Sequence, residues 1–396
     1  MNRLFRISFD TFLTSITPII SWFLIGMIID KNLINIFTLV YPVQAIMLTI
    51  KSIFGTGANI SKVKDNNKSS VYSGFILGTF IGLVITLILI VNIDSFITFM
   101  NMDTKVYRIF ASYAIIQLFL QLILNLSLCK LYYEGKNKKA NLYSILFNAI
   151  NLVSLITTSI ITKNQIIISC TALITTIIFV IIMLFKTIEV TKFDLNIKNC
   201  IKYNSVYLLD YINLFIIYLI GFKNSFSFGD TYVLAISFAT LITDTQWDMA
   251  DSVITVAQID ISNKSFSYKE HIKNSRKLVG LLVLSSILMG CVLYGKYKTN
   301  IFITLLVAGL ELIAIYLYPI YITKLTFIQL EHSQIKATIN KQIANTLRIV
   351  SSFIPTPFCT AIGTFVSMIY QLISTNVIIK RNKLDLESLN KKVLIK

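Results

Sequence analysis

Residues 71–92 read VYSGFILGTFIGLVITLILIVN, without a single charged side chain. As a helix rising 1.5 Å per residue, a stretch of this length covers about 33 Å, enough to cross a hydrocarbon core of about 30 Å. A membrane β-strand would alternate apolar and polar residues over about ten positions. Here the apolar residues are continuous, so the segment is a helix.

Working outward, comparable apolar runs fill most of the chain. They predict spans near 7–30, 33–60, 71–92, 104–133, 139–162 and 164–187, then near 203–222, 230–261, 271–294, 299–330, 335–354 and 357–380. The polar stretch IEVTKFDLNIKNCIK, residues 188–202, separates the two sets. The expected fold is therefore an all-α integral membrane protein of about twelve transmembrane helices in two pseudo-symmetric six-helix lobes. The lobes are expected over 1–187 and 203–380, with a cytoplasmic linker at 188–202 and a cytoplasmic tail at 381–396. The first apolar run has no small-residue cleavage site after it, so it is expected to stay as a spanning helix.

Composition agrees. Of the 396 residues 55% are apolar and 14% charged, against about 25% charged in a soluble domain, and mean hydropathy is +0.73. The formal charge of +17 falls in short clusters between apolar runs, which points to topology and away from nucleic acid. Cytoplasmic loops collect Lys and Arg. With both termini cytoplasmic, the tails and alternate loops hold 26 of the 36 basic residues and the opposite loops hold seven: Lys31, Lys105, Arg108, Lys163, Lys223, Lys296 and Lys298. An error of one in the helix count would scramble that alternation. The expected setting is a multi-pass protein of a bacterial plasma membrane.

An ungapped internal repeat appears when position i is set against i+197: Glu134, Lys139, Ala140 and Asn148 fall on Glu331, Lys336, Ala337 and Asn345. Both sets lie at the junction of the fourth and fifth helix of a half, which implies a parallel repeat about an axis along the membrane normal.

The chemistry lies in the acids. In TLITDTQWDMADSVITVAQ, residues 240–258, Asp244, Asp248 and Asp251 are spaced i, i+4 and i+7, on one helical face. Three carboxylates facing lipid would cost on the order of 7 to 10 kcal/mol, so they are expected to face a cavity, where they titrate as a coupled set and can hold a proton or a cation. Asp210 in SVYLLDYINLFIIYLIG and Glu311 in LLVAGLELIAIYLY are further intramembrane acids. Gln246, Trp247, Asn213 and Ser21 are candidates for cavity lining. Lys324 and Arg348 are the internal cations available as structural partners, and Pro18, Pro42 and Pro319 fall inside spans.

Five scattered cysteines without a CxxC and two separated histidines point to no disulfide frame and no metal site. No GxxxxGK[ST] string is present, so a fused nucleotide-driven motor is not expected. An intramembrane aspartyl protease would need GxGD, and the nearest string is SFGD ending at Asp230. The chain is not expected to be an enzyme.

Three further stretches carry a family likeness: GMIIDKNLINIFTLVYPV from Gly26 to Val43, GTGANISKVKDNNKSSVYSGFILG from Gly55 to Gly78, and MNMDTKVYRIFASYAIIQLFLQL from Met100 to Leu122. In their order, and in the two six-helix halves, the sequence resembles the multidrug and toxic compound extrusion family, of the superfamily that includes lipid-linked oligosaccharide flippases. The resemblance implies a secondary antiporter that works by alternating access, exporting drug-like or metabolite substrates in exchange for H⁺ or Na⁺; the expected substrate is a cationic or amphipathic small molecule, the expected state a monomer, and no cofactor beyond the coupling ion is expected. It implies that Asp210 and Glu311 occupy the positions of the family's acids on the seventh and tenth helices. Many members carry an aspartate five residues before the glycine that matches Gly26, and here Ser21 stands there. The alternatives are a flippase of the same superfamily, for which a cationic cavity is expected, and a non-transporting receptor or assembly factor.

Overall fold

A computed structural model describes residues 3–203, 205–262 and 264–387. The tail expected at 381–396 therefore lies partly outside the described residues, from 388 on. Twelve long helical elements follow one another, and no strand occurs among the described residues. They are α1 (Arg3–Ile28), α2 (Lys31–Lys62), α3 (Ser70–Val91), α4 (Thr104–Tyr133), α5 (Asn137–Ile161) and α6 (Gln165–Thr187). Then come α7 (Ser205–Phe226), α8 (Asp230–Ala250 continued by Ser252–Ser262), α9 (Tyr268–Tyr297), α10 (Ile301–His332), α11 (Gln334–Ser352) and α12 (Cys359–Arg381). Short helices at Ile93–Phe99 and Ile197–Tyr203 lie in connections.

Local chemistry sets the helix starts. A lipid-embedded helix satisfies its own backbone except in its terminal turns. Asp103 accepts from the Lys105 amide, Asn164 from the amides of Ile166 and Ile167, Asn300 from that of Ile303, and Ser333 from that of Lys336. Each such cap stabilises its helix by about 1 kcal/mol.

The prolines behave in two ways. Pro18 and Pro319 lie inside α1 and α10, where each removes one helical hydrogen bond. Pro42 does not: α2 is interrupted at Val40, and Pro42 opens its next stretch, Tyr41–Lys51, where a missing N–H costs nothing. A π-helical turn follows at Ser52–Gly57.

Packing divides the chain into two compact units. One comprises residues 17–227. Its interior is built from Leu120, Leu124, Leu128, Phe147, Val180 and Met183 of α4, α5 and α6. On α3, Gly74, Gly78 and Gly82 recur every four residues along the face that meets Phe54, Leu126 and Leu122, the small-residue spacing that brings membrane helices close. In α7, Tyr218, Phe222 and Phe226 form a stacked column, and Tyr218 and Phe222 meet Tyr41 of α2. The expected boundary at the polar stretch 188–202 and this packing boundary at Ser227 answer different questions, one of composition along the sequence and one of contacts.

The other unit joins the start of α1, up to Ile16, to the chain from Phe228 on. Its core holds Leu4, Val253, Leu282, Ala314, Tyr318 and Met368, and Ser8 of α1 hydrogen-bonds Ser252 of α8. In both units large apolar side chains stay exposed on the outer helices, among them Phe80 and Leu87 on α3 and Leu288 and Val292 on α9. A fully apolar outer surface of this kind is what a bilayer solvates. The repeat has a structural counterpart: Ala140 and Ala337 are both buried, as are Asn148 and Asn345.

Candidate functional site: a carboxylate cluster on α8 and α10

The segment Asp230–Ala250 is a continuous helix, so Asp244, Asp248 and Asp251 do share a face. Asp251 itself sits at the point where the helical run pauses before Ser252–Ser262. Asp244 is half-buried, while Asp248 and Asp251 are exposed. A mid-span carboxylate is tolerated only against water or a partner, so this face of α8 has to supply one or the other.

Helix α10 packs on α8 and completes the group. The Trp247 indole N–H donates to Glu311 Oε2 at 2.8 Å, and the Tyr318 hydroxyl donates to Asp251 Oδ1 at 2.6 Å. The two aromatic residues are themselves in edge-to-face contact, 5.4 Å between ring centroids, and Tyr318 meets Tyr321 in the same way at 5.5 Å. Two carboxylates are thus held by neutral donors on a rigid aromatic ladder. Asp244 interacts electrostatically with both Asp248 and Glu311, and Asp251 with Asp248. Four acids form one electrostatic group.

Two more helices face Glu311. Thr364 of α12, whose hydroxyl donates to Thr360 O at 3.2 Å, and Arg348 of α11 both lie close enough to act on its carboxyl. The Arg348 Nε is buried without a hydrogen-bond partner. Lys324, the other internal cation, is engaged elsewhere: its Nζ donates to Asn376 Oδ1 at 2.6 Å.

The remaining sequence candidates lie apart. Gln246 is buried, and its amide donates to its own helix at Ile242 O, 3.2 Å; it faces away from the acids. Asp210 is buried on α7, in the unit of residues 17–227, together with half-buried Asn213 and buried Ser21. The Ser21 hydroxyl donates back to Thr17 O at 2.9 Å. The structure therefore brings together Asp244, Asp248, Asp251, Glu311 and Trp247, and places Asp210, Asn213 and Ser21 in the other unit. Sequence reasoning missed Tyr318 and Thr364. Neither has a signal of its own, since tyrosine and threonine are ordinary in membrane helices, and only the register of α10 and α12 against α8 singles them out.

No family model matches the chain, and no curated protein matches it in sequence. Solved structures do match its fold. An inward-facing multidrug resistance MATE family transporter of the MOP superfamily superposes with a TM-score of 0.70 at 13% identity, over 96% of each chain. A MOP superfamily transporter from Pyrococcus furiosus, whose description gives its binding pocket a reverse polarity and suggests a different function, superposes with a TM-score of 0.67 at 15% identity, also over 96% of each chain. An outward-facing MATE family transporter follows with a TM-score of 0.66 at 15% identity, over 98% of this chain and 96% of that one. At such identities the likeness is one of fold: this chain has the twelve-helix architecture of these transporters from end to end.

Proposed function

We propose that the chain is a cation-coupled secondary transporter in which Asp244, Asp248, Asp251 and Glu311 form the ion-exchange site. The observation that supports this reading is the convergence of four carboxyl groups from α8 and α10 in one electrostatic group, two of them fixed by the neutral donors Trp247 and Tyr318.

Four anionic charges crowded in a medium of reduced dielectric repel one another. Uptake of a proton or of Na⁺ relieves that repulsion, and so does entry of a cationic substrate. The two cannot both be held at full strength. Competition for one anionic group is the physical basis of exchange: a cation that enters from one side lowers the affinity for a substrate that leaves to the other. Alternation between inward and outward openings follows if the neutralised and charged forms favour different packings. Arg348 supplies a fixed positive charge that keeps Glu311 tolerable when no ion is bound. The substrate class is a cationic or amphipathic small molecule, and the predominantly acidic character of the group favours this over the lipid pyrophosphate that a flippase would carry.

The test is efflux of a fluorescent cationic dye from proteoliposomes under an imposed pH or Na⁺ gradient, with wild type compared with Asp248→Asn and Glu311→Gln. Gradient-driven efflux that is lost in both variants at equal protein content is the expected result. Efflux that survives in both would remove the acids from the mechanism, and absence of efflux under either gradient would reject antiport of such cations.

A further inference from the structure

At the end of the unit of residues 17–227 that carries Gly135, three lysines from separate elements converge on one cleft: Lys62 of α2, Lys68 of the α2–α3 connection and Lys130 of α4. Its wall includes Tyr72 and Phe75 of α3, and it is open to solvent, with room of about 40 Å³ for the centres of water-sized groups. Lys130 is the anchor. Its side chain is 15% exposed, and its Nζ lies 2.6 Å from Glu189 Oε1 and 3.9 Å from Glu134 Oε1.

Neither carboxylate is a committed partner. Glu134 already binds Lys136 at 2.8 Å. Glu189 belongs to the connection after α6, and its side chain is 79% exposed, so another anion can reach Lys130 from solvent and exchange with it. Lys62 also acts electrostatically on both acids. The cleft therefore gathers three ammonium groups around one solvent-exposed carboxylate and retains positive charge. Ammonium groups bind phosphate oxygens through short charge-assisted hydrogen bonds. On the side away from the lysines, the outer face of α3 continues with exposed Ile76, Phe80 and Leu83, which suit acyl chains and repel a free, fully hydrated anion.

We propose that this cleft binds the headgroup of an acidic phospholipid, whose phosphodiester replaces the Glu189 carboxylate on Lys130 while the acyl chains lie along α3. Charge complementarity selects the headgroup, and continuity with the apolar face selects a lipid. Lys62 and Lys68 complete the contact, and Glu189 acts as the internal competitor that occupies the site when no lipid is bound.

The test uses the full chain in detergent, stripped of lipid, with phosphatidylglycerol and phosphatidylcholine added separately and bound lipid counted by native mass spectrometry. Phosphatidylglycerol is expected to be retained in clear preference. In K62Q/K68Q, at one half-buried and one exposed position, its affinity falls by roughly twenty-five-fold, or about five-fold per lysine. In Glu189→Gln it rises several-fold, because the competitor loses its charge; a purely structural Lys130–Glu189 pair would give no such gain. Equal retention of the two lipids, a preference that persists in K62Q/K68Q, or weaker binding in Glu189→Gln would overturn the proposal. So would complete competition by millimolar inorganic phosphate, which would assign the cleft to a free anion.

Discussion

Glu311 accepts a hydrogen bond from an indole, and an indole can only donate. That sets what a substitution does there. In Glu311→Gln the amide oxygen still accepts from Trp247, so the variant is expected to fold with a melting temperature within a few degrees of wild type while gradient-driven exchange disappears; a thermal scan beside the efflux assay checks both. Tyr318→Phe keeps the ring contacts to Trp247 and Tyr321 and removes only the hydroxyl that donates to Asp251. Because Asp251 is exposed and water can replace the lost donor, the expected loss of stability is about 1 kcal/mol, read as a small shift in the same thermal scan. At this scale the sequence was partly legible. The spacing of Asp244, Asp248 and Asp251 is enough to put them on one face, and Glu311 stands out because acids are rare in membrane helices. Its pairing with Trp247 depends on how far α10 is slid along α8, and no local pattern encodes that slide. Asp210 shows the same limit from the other side: it shares the rarity of the other acids, yet the aromatic column of α7 packs on α2.

At the scale of elements, α3 is held by what it lacks. A Cβ added at Gly74 would lie 2.3 Å from the Phe54 carbonyl oxygen and 2.7 Å from the Ala58 Cβ. The first neighbour is backbone and cannot rotate away, so α3 must move. Gly74→Ala is expected to destabilise the protein by about 1 to 3 kcal/mol. Gly280 on α9 is the control, since a Cβ there meets nothing within 4 Å and alanine is the better helix former; Gly280→Ala should match or exceed wild type. Detergent-solubilised thermostability of the pair separates close packing from any general effect of losing a glycine. Eight of the spans are legible from length and hydropathy alone among the described residues, and the others rest on the alternation of loop charge. The pauses at Val40 and Asp251 and the π-turn at Ser52–Gly57 are not legible, because they leave the apolar pattern intact and depend on local hydrogen bonding. The connection after α6 carries its own prediction. Its Glu189 carboxyl is held below the ordinary carboxylate range, first by the hydrogen bond from Lys130 and then by that residue's charge. Since the folded-state value is the lower one, the tie is complete above the ordinary glutamate value of about 4.3 and is lost as pH falls through the lowered value. Hydrogen exchange across residues 188–196 is therefore expected to be unchanged from pH 7 to about pH 5, after correction for intrinsic rates, and to accelerate below pH 4. Acceleration already complete at pH 5 would show that Lys130 does not hold Glu189.

Across the whole molecule, two independent regularities describe the same arrangement. The i+197 repeat aligns Ala140 with Ala337 and Asn148 with Asn345, and all four are buried, so each half hides the same small and polar positions on its fifth helix. The basic residues obey a second rule, 26 in one set of loops and tails against seven in the other. If consecutive spans run in opposite directions, helix ends fall alternately on the two sides, and the charge bias predicts that the Lys-rich side is the cytoplasmic one. Lys138 and Lys163 make this testable on one element. Both are exposed; the first lies in the opening turn of α5 and the second just beyond its last residue, Ile161. A helix of this length separates them by the thickness of the bilayer. In a variant whose five cysteines are replaced by serine, a single cysteine at 163 is expected to react with a membrane-impermeant maleimide in intact cells. One at 138 is expected to react only after the cells are permeabilised. The reverse pattern would invert the orientation and put the proposed phospholipid cleft on the outer leaflet. Labelling of both positions in intact cells would contradict α5 as a spanning helix, and with it the alternation on which the two-sided charge count depends.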